Sequence, residues 1–206
     1  MDDAGSGPLR RIGDHGIIGD METAALVAAD GTIDYLCWPS LDSPSVFAEL
    51  LDAERGGAFE IRPALDAARV IQIYVPDTNV LTTRWMATDG SVEIVDLMPH
   101  PDARVHPEHR ARCLIRQVTV TRGTVAFAAR CRPRFDYARE VPQAAAADGG
   151  VCFIGRDLTL RLHASVPLTC GNGTADADFT LGEGESAWFV FGEEGLERPD
   201  DATVAA

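Results

Sequence analysis

The sequence of 206 residues contains no lysine, and all 18 of its basic residues are arginine. Without lysine, the chain can form neither a Schiff base with a substrate nor a P-loop phosphate site. Acidic residues number 32, which gives a formal net charge of −14. A surface this acidic argues against nucleic acid and against an anionic membrane as partners, because both bind clustered basic side chains.

Long apolar runs are also absent. No stretch of 18 consecutive apolar residues occurs, so no transmembrane helix is predicted. The first residues, MDDAGSGPLRR, lack the basic-then-apolar order of a signal peptide. The sequence therefore predicts a cytoplasmic protein.

The five cysteines are widely spaced and form no C-x-x-C pair, which argues against a zinc ribbon or a redox motif. Four of them lie in apolar, strand-like segments and are expected to be buried, reduced thiols. The histidine-containing stretch MPHPDARVHPEHR, residues 98–110, matches no zinc motif, and its prolines oppose a helix that would align ligands. We interpret this stretch as a solvated connection between strands, and neither a metal nor a cofactor is predicted.

Short alternating apolar and polar runs dominate the sequence and indicate strands. Asp30-Gly31 and Asp89-Gly90 each separate two such runs, and this dipeptide favours a tight hairpin turn. Arg122-Gly123 predicts a third hairpin. About a dozen short strands with regular turn signals predict an all-β fold, a large antiparallel β-sandwich of two sheets.

One short helix is predicted over residues 44–51. Ser43 would be its N-cap, and Pro44 would occupy the first helical position, where a missing N–H has no cost. The apolar stripe of the helix would then comprise Val46, Phe47, Leu50 and Leu51.

Three parts of the chain are expected on the basis of this pattern. Residues 1–12 would be a flexible leader, residues 13–193 the sandwich domain, and residues 194–206 an acidic linker. Within the sandwich, the stretch VPQAAAADGG, residues 141–150, is predicted to form a long loop.

No catalytic residue is predicted within the chain. Glycoside hydrolysis requires two carboxylates on opposite sides of the scissile bond. Carboxylates do cluster in the first fifth of the sequence, at Asp14, Asp20, Glu22, Asp34 and Asp42. With 32 acidic residues in the chain, such a cluster is expected by chance. The G-x-S-x-G elbow of serine hydrolases is absent.

The most unusual stretch is CWPSLDSPSVF, residues 37–47, which combines two prolines, a tryptophan, an aspartate and three serines. Trp38 follows a predicted strand and precedes a proline. A tryptophan at such a position either closes the core or presents a platform for a sugar ring, and the residues alone leave both alternatives open.

Ordered blocks of the sequence are very similar to the N-terminal domain of bacterial glycoside hydrolase family 15 proteins, the glucoamylase, glucodextranase and trehalase-like enzymes. The blocks are IGDHGIIGD (12–20), TAALV (23–27), DGTIDYLCWP (30–39), DSPSVF (42–47), GGAF (56–59), YVPDTNVL (74–81), DLMP (96–99) and RPRFDY (132–137). His15, Tyr35 and Leu41 depart from residues that are frequent in the family, which blurs the assignment to one substrate group.

The resemblance implies a β-sandwich that precedes an (α/α)6 barrel carrying both catalytic glutamates. We therefore expect the chain to be the non-catalytic N-terminal domain of an α-glucoside hydrolase, inactive without that barrel, which would be its partner. Two alternatives stay open. In the first, the domain is a stand-alone carbohydrate-binding module. In the second, it is a purely structural domain that solubilises and aligns the barrel.

The resemblance and the unusual stretch together predict a contact site at Trp38, Ser40, Asp42 and Ser43. Trp38 would stack on a sugar face or on the barrel surface, and Asp42 would hydrogen-bond sugar hydroxyls or a barrel group. The sugar contacted would be an α-glucan or trehalose. The two prolines of the stretch would stiffen the loop and place these side chains in advance.

Overall fold

The computed structural model describes residues 11–100 and 112–193. Sixteen strands follow one another in these residues: β1 (Gly16–Gly19), β2 (Ala24–Val27), β3 (Ile33–Cys37), β4 (Ser45–Phe47), β5 (Phe59–Pro63), β6 (Arg69–Tyr74), β7 (Leu81–Met86), β8 (Ser91–Leu97), β9 (Cys113–Arg122), β10 (Thr124–Cys131), β11 (Gln143–Ala147), β12 (Gly150–Ile154), β13 (Thr159–Ala164), β14 (Thr169–Gly171), β15 (Thr174–Gly182) and β16 (Ser186–Glu193). A 3-10 turn at Ile12–Asp14 precedes β1, and a short helical segment, α1, spans Phe135–Ala138.

The strands form two antiparallel sheets of eight strands each, which confirms the predicted β-sandwich. The first sheet has the order β1-β2-β3-β5-β10-β15-β14, with β4 paired to β3. The second has the order β11-β12-β13-β16-β9-β8-β7-β6. Across the described parts of the chain, no helix is long and apolar enough to cross a membrane.

Two of the three predicted hairpins are confirmed, and the third is wrong. β2 pairs with β3 around Asp30-Gly31, and β7 pairs with β8 around Asp89-Gly90. At Arg122-Gly123 the turn is tight, but β9 and β10 belong to different sheets, so the chain crosses the sandwich there. Gly123 has a φ of +83°, and a side chain on it would meet the Asp89 carbonyl oxygen at 2.5 Å, so only glycine fits this crossing.

The predicted helix over residues 44–51 is wrong. Residues 45–47 form strand β4, which pairs with β3 through Leu36–Phe47 and Cys37–Ser45. Val46 and Phe47 are both fully buried. Successive residues of a strand point to opposite faces, so both faces of β4 are covered. Leu51, which the helical stripe would bury, is 70% exposed. The short helical segment of the fold is α1 instead.

The predicted loop over residues 141–150 is also wrong for most of its length. Residues 143–147 form β11, which pairs with β12 over five residue pairs at the edge of the second sheet. Residues 1–10 of the predicted leader, most of the 98–110 stretch and the predicted linker lie outside the described residues.

The core lies between the two sheets and is built from side chains that alternate along the strands. Along β10, exposed and buried residues alternate without exception, as expected when one sheet face packs on a core. Rings from facing sheets meet there, with Phe59 edge-on to Phe189 at 5.9 Å and Phe47 tilted against Phe191 at 5.4 Å. Burying each ring contributes about 1.5–3 kcal/mol.

One buried arginine, held by an ion pair within the second sheet, also links the two sheets. On β9, the Arg116 guanidinium donates to both carboxylate oxygens of Asp96, at 2.7 and 3.2 Å. The same guanidinium donates to the main-chain carbonyls of Phe59 and Gly31, which belong to the opposite sheet and its β2–β3 turn. Both charged side chains are fully buried. The bonds to Asp96 lie within the second sheet and fix the guanidinium, whereas the bonds to the two carbonyls cross the core and link the sheets.

Candidate functional site at the loop end of the sandwich

The 38–44 loop joins β3 to β4 at one end of the sandwich. The Trp38 N–H donates to the Pro44 carbonyl at 3.3 Å, which closes the loop at its base. The Trp38–Pro39 peptide bond is cis. Pro39, Leu41, Asp42 and Pro44 are all exposed, so the loop presents both apolar and polar groups to solvent.

Three of the four predicted site residues share one hydrogen-bond network. The Ser40 hydroxyl donates to Asp42 Oδ1 at 2.7 Å and lies 2.9 Å from the Ser43 hydroxyl. The Ser40 N–H donates to Ser43 Oγ at 3.3 Å, and the Ser43 N–H donates to the Ser40 carbonyl at 3.0 Å. Ser43 therefore caps a turn and not a helix. The network orders the loop in the free domain, which lowers the entropic cost of binding a partner.

Trp38, the fourth predicted site residue, lies in the core. Its side chain is 2% exposed and meets Phe191 edge-on, with ring centroids 6.5 Å apart. Of the two alternatives that the sequence left open, the structure thus places Trp38 beneath the loop. It supports the loop by packing, and its ring offers no exposed platform in this structure.

Two segments distant in sequence hold the loop from outside. The Leu41 N–H donates to the Glu22 carbonyl at 3.0 Å. The Arg112 guanidinium donates to the Pro39 carbonyl at 3.3 Å and pairs with the Glu22 carboxylate. Sequence reasoning missed Arg112, because no local pattern signals a contact between residues 73 positions apart.

The turn over residues 20–23 is built around Asp20. Its Oδ1 accepts the N–H groups of Glu22 and Thr23 at 3.0 and 2.8 Å. The Thr23 hydroxyl donates to the Cys37 carbonyl at 2.7 Å, which ties the turn to the end of β3. The turn and the 38–44 loop are thereby held side by side.

Two apolar side chains stand out from these neighbouring segments. Met21, at the tip of the turn, is 88% exposed, and Leu41, in the loop, is 63% exposed. Glu22, Asp42 and Arg112 supply charged groups around them. Adjacent exposed apolar side chains with a polar rim are typical of a contact surface.

The last described strand ends at the same place. In β16, Gly192 is paired with Cys113, and Glu193 closes the strand beside Arg112. Residue 193, the last described residue, therefore lies beside Arg112, which contacts the 38–44 loop. We call this region, made of the 38–44 loop, the 20–23 turn, Arg112 and Glu193, the loop end.

The three carboxylates that are buried among the described residues serve the fold: Asp20, Asp34 and Asp96. Asp34 Oδ2 lies 3.0 Å from His15 Nε2, and His15 Nδ1 lies 2.8 Å from the Arg11 carbonyl. Asp20 builds the 20–23 turn, and Asp96 pairs with Arg116, as described above. The carboxylates of a glycosidase flank an open cleft, whereas these three lie in the interior.

No group of three or more histidine, cysteine, aspartate or glutamate side chains that could hold a metal ion occurs within residues 11–100 and 112–193. Of the three histidines in the 98–110 stretch, His106 and His109 lie outside the described residues.

Comparison of the sequence with known proteins matches the chain to one family. A family model described as trehalase-like, N-terminal, matches residues 5–167. The trehalase of Mycolicibacterium smegmatis is 34% identical over 145 residues, which cover 64% of this chain and 21% of that protein. Trehalase 1 of Sulfolobus acidocaldarius is 37% identical over 139 residues, 68% of this chain and 22% of that protein. The trehalase of Thermoplasma volcanium is 28% identical over 195 residues, 91% of this chain and 30% of that protein.

The described residues form a β-sandwich with a hydrogen-bonded, partly apolar loop at one end. The chain belongs to the trehalase-like N-terminal domain family, which confirms the resemblance found in the sequence. It spans 21–30% of the length of these three trehalases.

Proposed function

We propose that this chain is the non-catalytic β-sandwich domain of a glycoside hydrolase acting on α-glucosides, and that the substrate is trehalose. The three relatives described above are named trehalases, and the chain corresponds to 21–30% of their length. The remaining part of such an enzyme would carry the catalytic glutamates, in the (α/α)6 barrel that the resemblance implies. The interior positions of Asp20, Asp34 and Asp96 support a non-catalytic role for the sandwich.

The observation that carries the proposal is the position of Glu193 at the loop end. The polypeptide that follows β16 starts beside Arg112, which itself holds Pro39 and Glu22. A domain that follows in the chain therefore begins within reach of the 38–44 loop. We infer that the loop end is the surface on which the catalytic domain packs, and that Ser40, Asp42 and Ser43 border its cleft.

The chemistry of the loop end suits such a contact. Leu41 and Met21 supply apolar surface, and burial of Leu41 on docking would contribute about 1–2 kcal/mol. The carboxylate of Asp42 is available to a partner hydroxyl or amide, because the Ser40 hydroxyl already holds it in place. Preorganised polar groups around an apolar anchor are typical of specific interfaces.

The proposal predicts that Leu41→Glu impairs trehalose hydrolysis by the full-length polypeptide that contains this domain. A charge placed in the docked interface should lower kcat/KM about tenfold, since 1.4 kcal/mol corresponds to a factor of ten. Steady-state kinetics and the thermal midpoint Tm are measured together.

Met86→Glu provides the matched control. Met86 is 37% exposed and lies at the opposite end of the second sheet, where β7 turns into β8. The same apolar-to-acidic change there should leave kcat/KM unaltered. Wild-type kinetics and Tm in Leu41→Glu would rule out docking at the loop end.

The burial of Trp38 favours a second candidate function, a purely structural domain. With this ring in the core, the loop has no aromatic group for a sugar. A structural domain predicts that Leu41→Glu lowers Tm of the full-length polypeptide and leaves kcat and KM for trehalose unchanged.

A further inference from the structure

A second surface feature lies beside β4, a solvent-accessible pocket of about 270 Å³. Three separate segments supply its walls: Ser45 in β4, the turns over residues 48–56, and residues 137–139. The pocket is distinct from the 38–44 loop, although Ser45 directly follows that loop in the chain.

The backbone on one side of the pocket is strained. Asp136, Tyr137 and Ala138 have φ values of +49°, +57° and +62°. Three successive residues other than glycine in the left-handed region cost about 1–2 kcal/mol each. Such strain persists only where the surroundings over-determine it, and it concentrates at binding sites.

The surroundings of this turn hold it firmly. Phe135 is buried and exchanges two main-chain hydrogen bonds with Glu140, at 2.9 and 3.1 Å. The N–H of Arg134 donates to the Val46 carbonyl of β4 at 2.8 Å. The turn places Tyr137 on the pocket wall with its side chain 52% exposed. A strained turn is thus maintained at the position that presents an aromatic ring to solvent.

The charges around the pocket are balanced. Arg55 pairs with Asp52 at 2.8 Å, and Arg139 pairs with Asp136 at 3.4 Å. The Arg139 guanidinium also lies 5.6 Å from the centroid of the Tyr137 ring. Because each guanidinium already has a carboxylate partner, the pocket offers hydrogen-bond donors and acceptors without net charge. This pattern suits a neutral, hydroxyl-rich ligand better than an anion.

The hydroxyl of Ser45 supplies a further observation that points to a ligand. Ser45 is 1% exposed and lies in the pocket wall, and its Oγ has no hydrogen-bond partner among the described residues. Buried hydroxyls are normally hydrogen-bonded. This Oγ is enclosed in the free domain, so a ligand hydroxyl would complete the bond once the pocket wall opens slightly around Ser45.

We propose that this pocket binds one neutral hexose ring, the glucosyl unit of an α-glucoside such as trehalose. The Tyr137 ring would pack against the C–H face of the sugar, and the Asp52–Arg55 pair would hydrogen-bond its hydroxyl rim. The volume of about 270 Å³ lies just below the range of about 300–1,000 Å³ for drug-sized ligands, which matches a single ring. The choice of sugar rests on the proposed function.

The test is an NMR titration of the ¹⁵N-labelled 206-residue chain with trehalose, and separately with glucose 6-phosphate as an anionic probe. We expect saturable shifts at the amides of Gly56 and Ala138, with a Kd on the order of millimolar. Tyr137→Leu should weaken binding about fivefold or more, whereas Tyr137→Phe, which keeps the ring, should retain it within about twofold.

Two further variants keep the test independent of folding defects. Arg55→Gln changes a side chain that is 80% exposed, so the fold is retained, and it should weaken binding several-fold. Tyr74→Leu removes an aromatic ring of similar exposure, 43%, from β6 outside the pocket, and should leave binding unchanged.

Three results would overturn the inference. These are shifts that do not saturate up to about 100 mM trehalose, unchanged binding in both Tyr137→Leu and Arg55→Gln, and tighter binding of glucose 6-phosphate than of trehalose. The titration is separable from the docking experiment. If trehalose does not bind but Leu41→Glu impairs the enzyme, only the proposed sugar site is rejected. If trehalose binds saturably but the Leu41→Glu enzyme is fully active, only the docking proposal is rejected.

Discussion

At the scale of single residues, the five cysteines illustrate how burial sets reactivity. Cys37, Cys113, Cys131 and Cys152 are buried, and Cys170 is partly exposed. Burial raises the pKa of the Cys113 thiol to about 12, with a further contribution from the nearby carboxylates of Asp20 and Glu193. Burial likewise raises the pKa of Cys131 well above its usual value. The expectation of buried cysteines in strands is confirmed for four of the five.

These pKa shifts predict selective alkylation. A thiol with a pKa near 12 is ionised at pH 8 to only about one part in ten thousand, and the thiolate is the reactive form. Iodoacetamide at pH 8 should therefore modify Cys170 first and leave Cys113 and Cys131 unmodified in the native domain. Mass spectrometry of tryptic peptides measures each site.

Alkylation in concentrated urea serves as the control, because all five thiols should then react. Modification of Cys113 at the rate of Cys170 in the native domain would show that Cys113 is not buried as described.

At the scale of elements, β4 shows where local pattern and tertiary structure diverge. Val46, Phe47, Leu50 and Leu51 have helical spacing, and Ser43-Pro44 has the form of a helix start. Pairing with β3 and burial of both Val46 and Phe47 outweigh this preference, since helix propensity is worth less than about 1 kcal/mol per residue. Segment β11 was missed for the related reason that its alanines carry little strand signal, and pairing with β12 decides its conformation.

The left-handed turn at residues 136–138 carries a prediction of its own. Ala138→Gly should raise the free energy of unfolding by about 1 kcal/mol, because glycine adopts a positive φ without the clash that alanine suffers. Ala128→Gly makes the same chemical change in the regular strand β10 and should lower it by about 0.5–1 kcal/mol. Urea unfolding monitored by circular dichroism gives both values. A loss of stability of the same size in both variants would contradict a strained turn.

At the scale of the whole molecule, Arg116 connects the two sheets through the carbonyls of Phe59 and Gly31. Asp96 of the neighbouring strand β8 balances the buried charge of Arg116. Removing one charge from a buried pair leaves the other without compensation, which costs far more than the pair itself contributes. Asp96→Asn should therefore lower the free energy of unfolding by about 3 kcal/mol or more. The midpoint of urea unfolding should fall while its slope m stays constant.

Glu93→Gln is the matched control in the same strand, β8. Glu93 pairs with Arg84 at 2.8 Å, but the two side chains are 30% and 46% exposed, so its loss should cost under about 1 kcal/mol. Equal, small effects of the two substitutions would show that the buried pair does not stabilise the fold.

Much of the fold was determined by the sequence alone. Strand alternation, the Asp-Gly turns and the spacing of turn signals predicted a two-sheet sandwich, because these signals depend on side chains a few residues apart. The network of Ser40, Asp42 and Ser43 was predictable as a local cluster for the same reason, whereas its role at a domain contact stays a prediction.

Only the tertiary structure decided the rest. Three contacts depend on it: Arg112 with Pro39, Trp38 with Phe191, and Ser45 with Tyr137 in one pocket. Arg112 and Pro39 are 73 positions apart in the sequence, and the residues of the other two pairs are farther apart. The crossing between the sheets at Gly123 depends on the carbonyl of Asp89. These arrangements arise from long-range packing, which relates residues that no local period of the sequence connects.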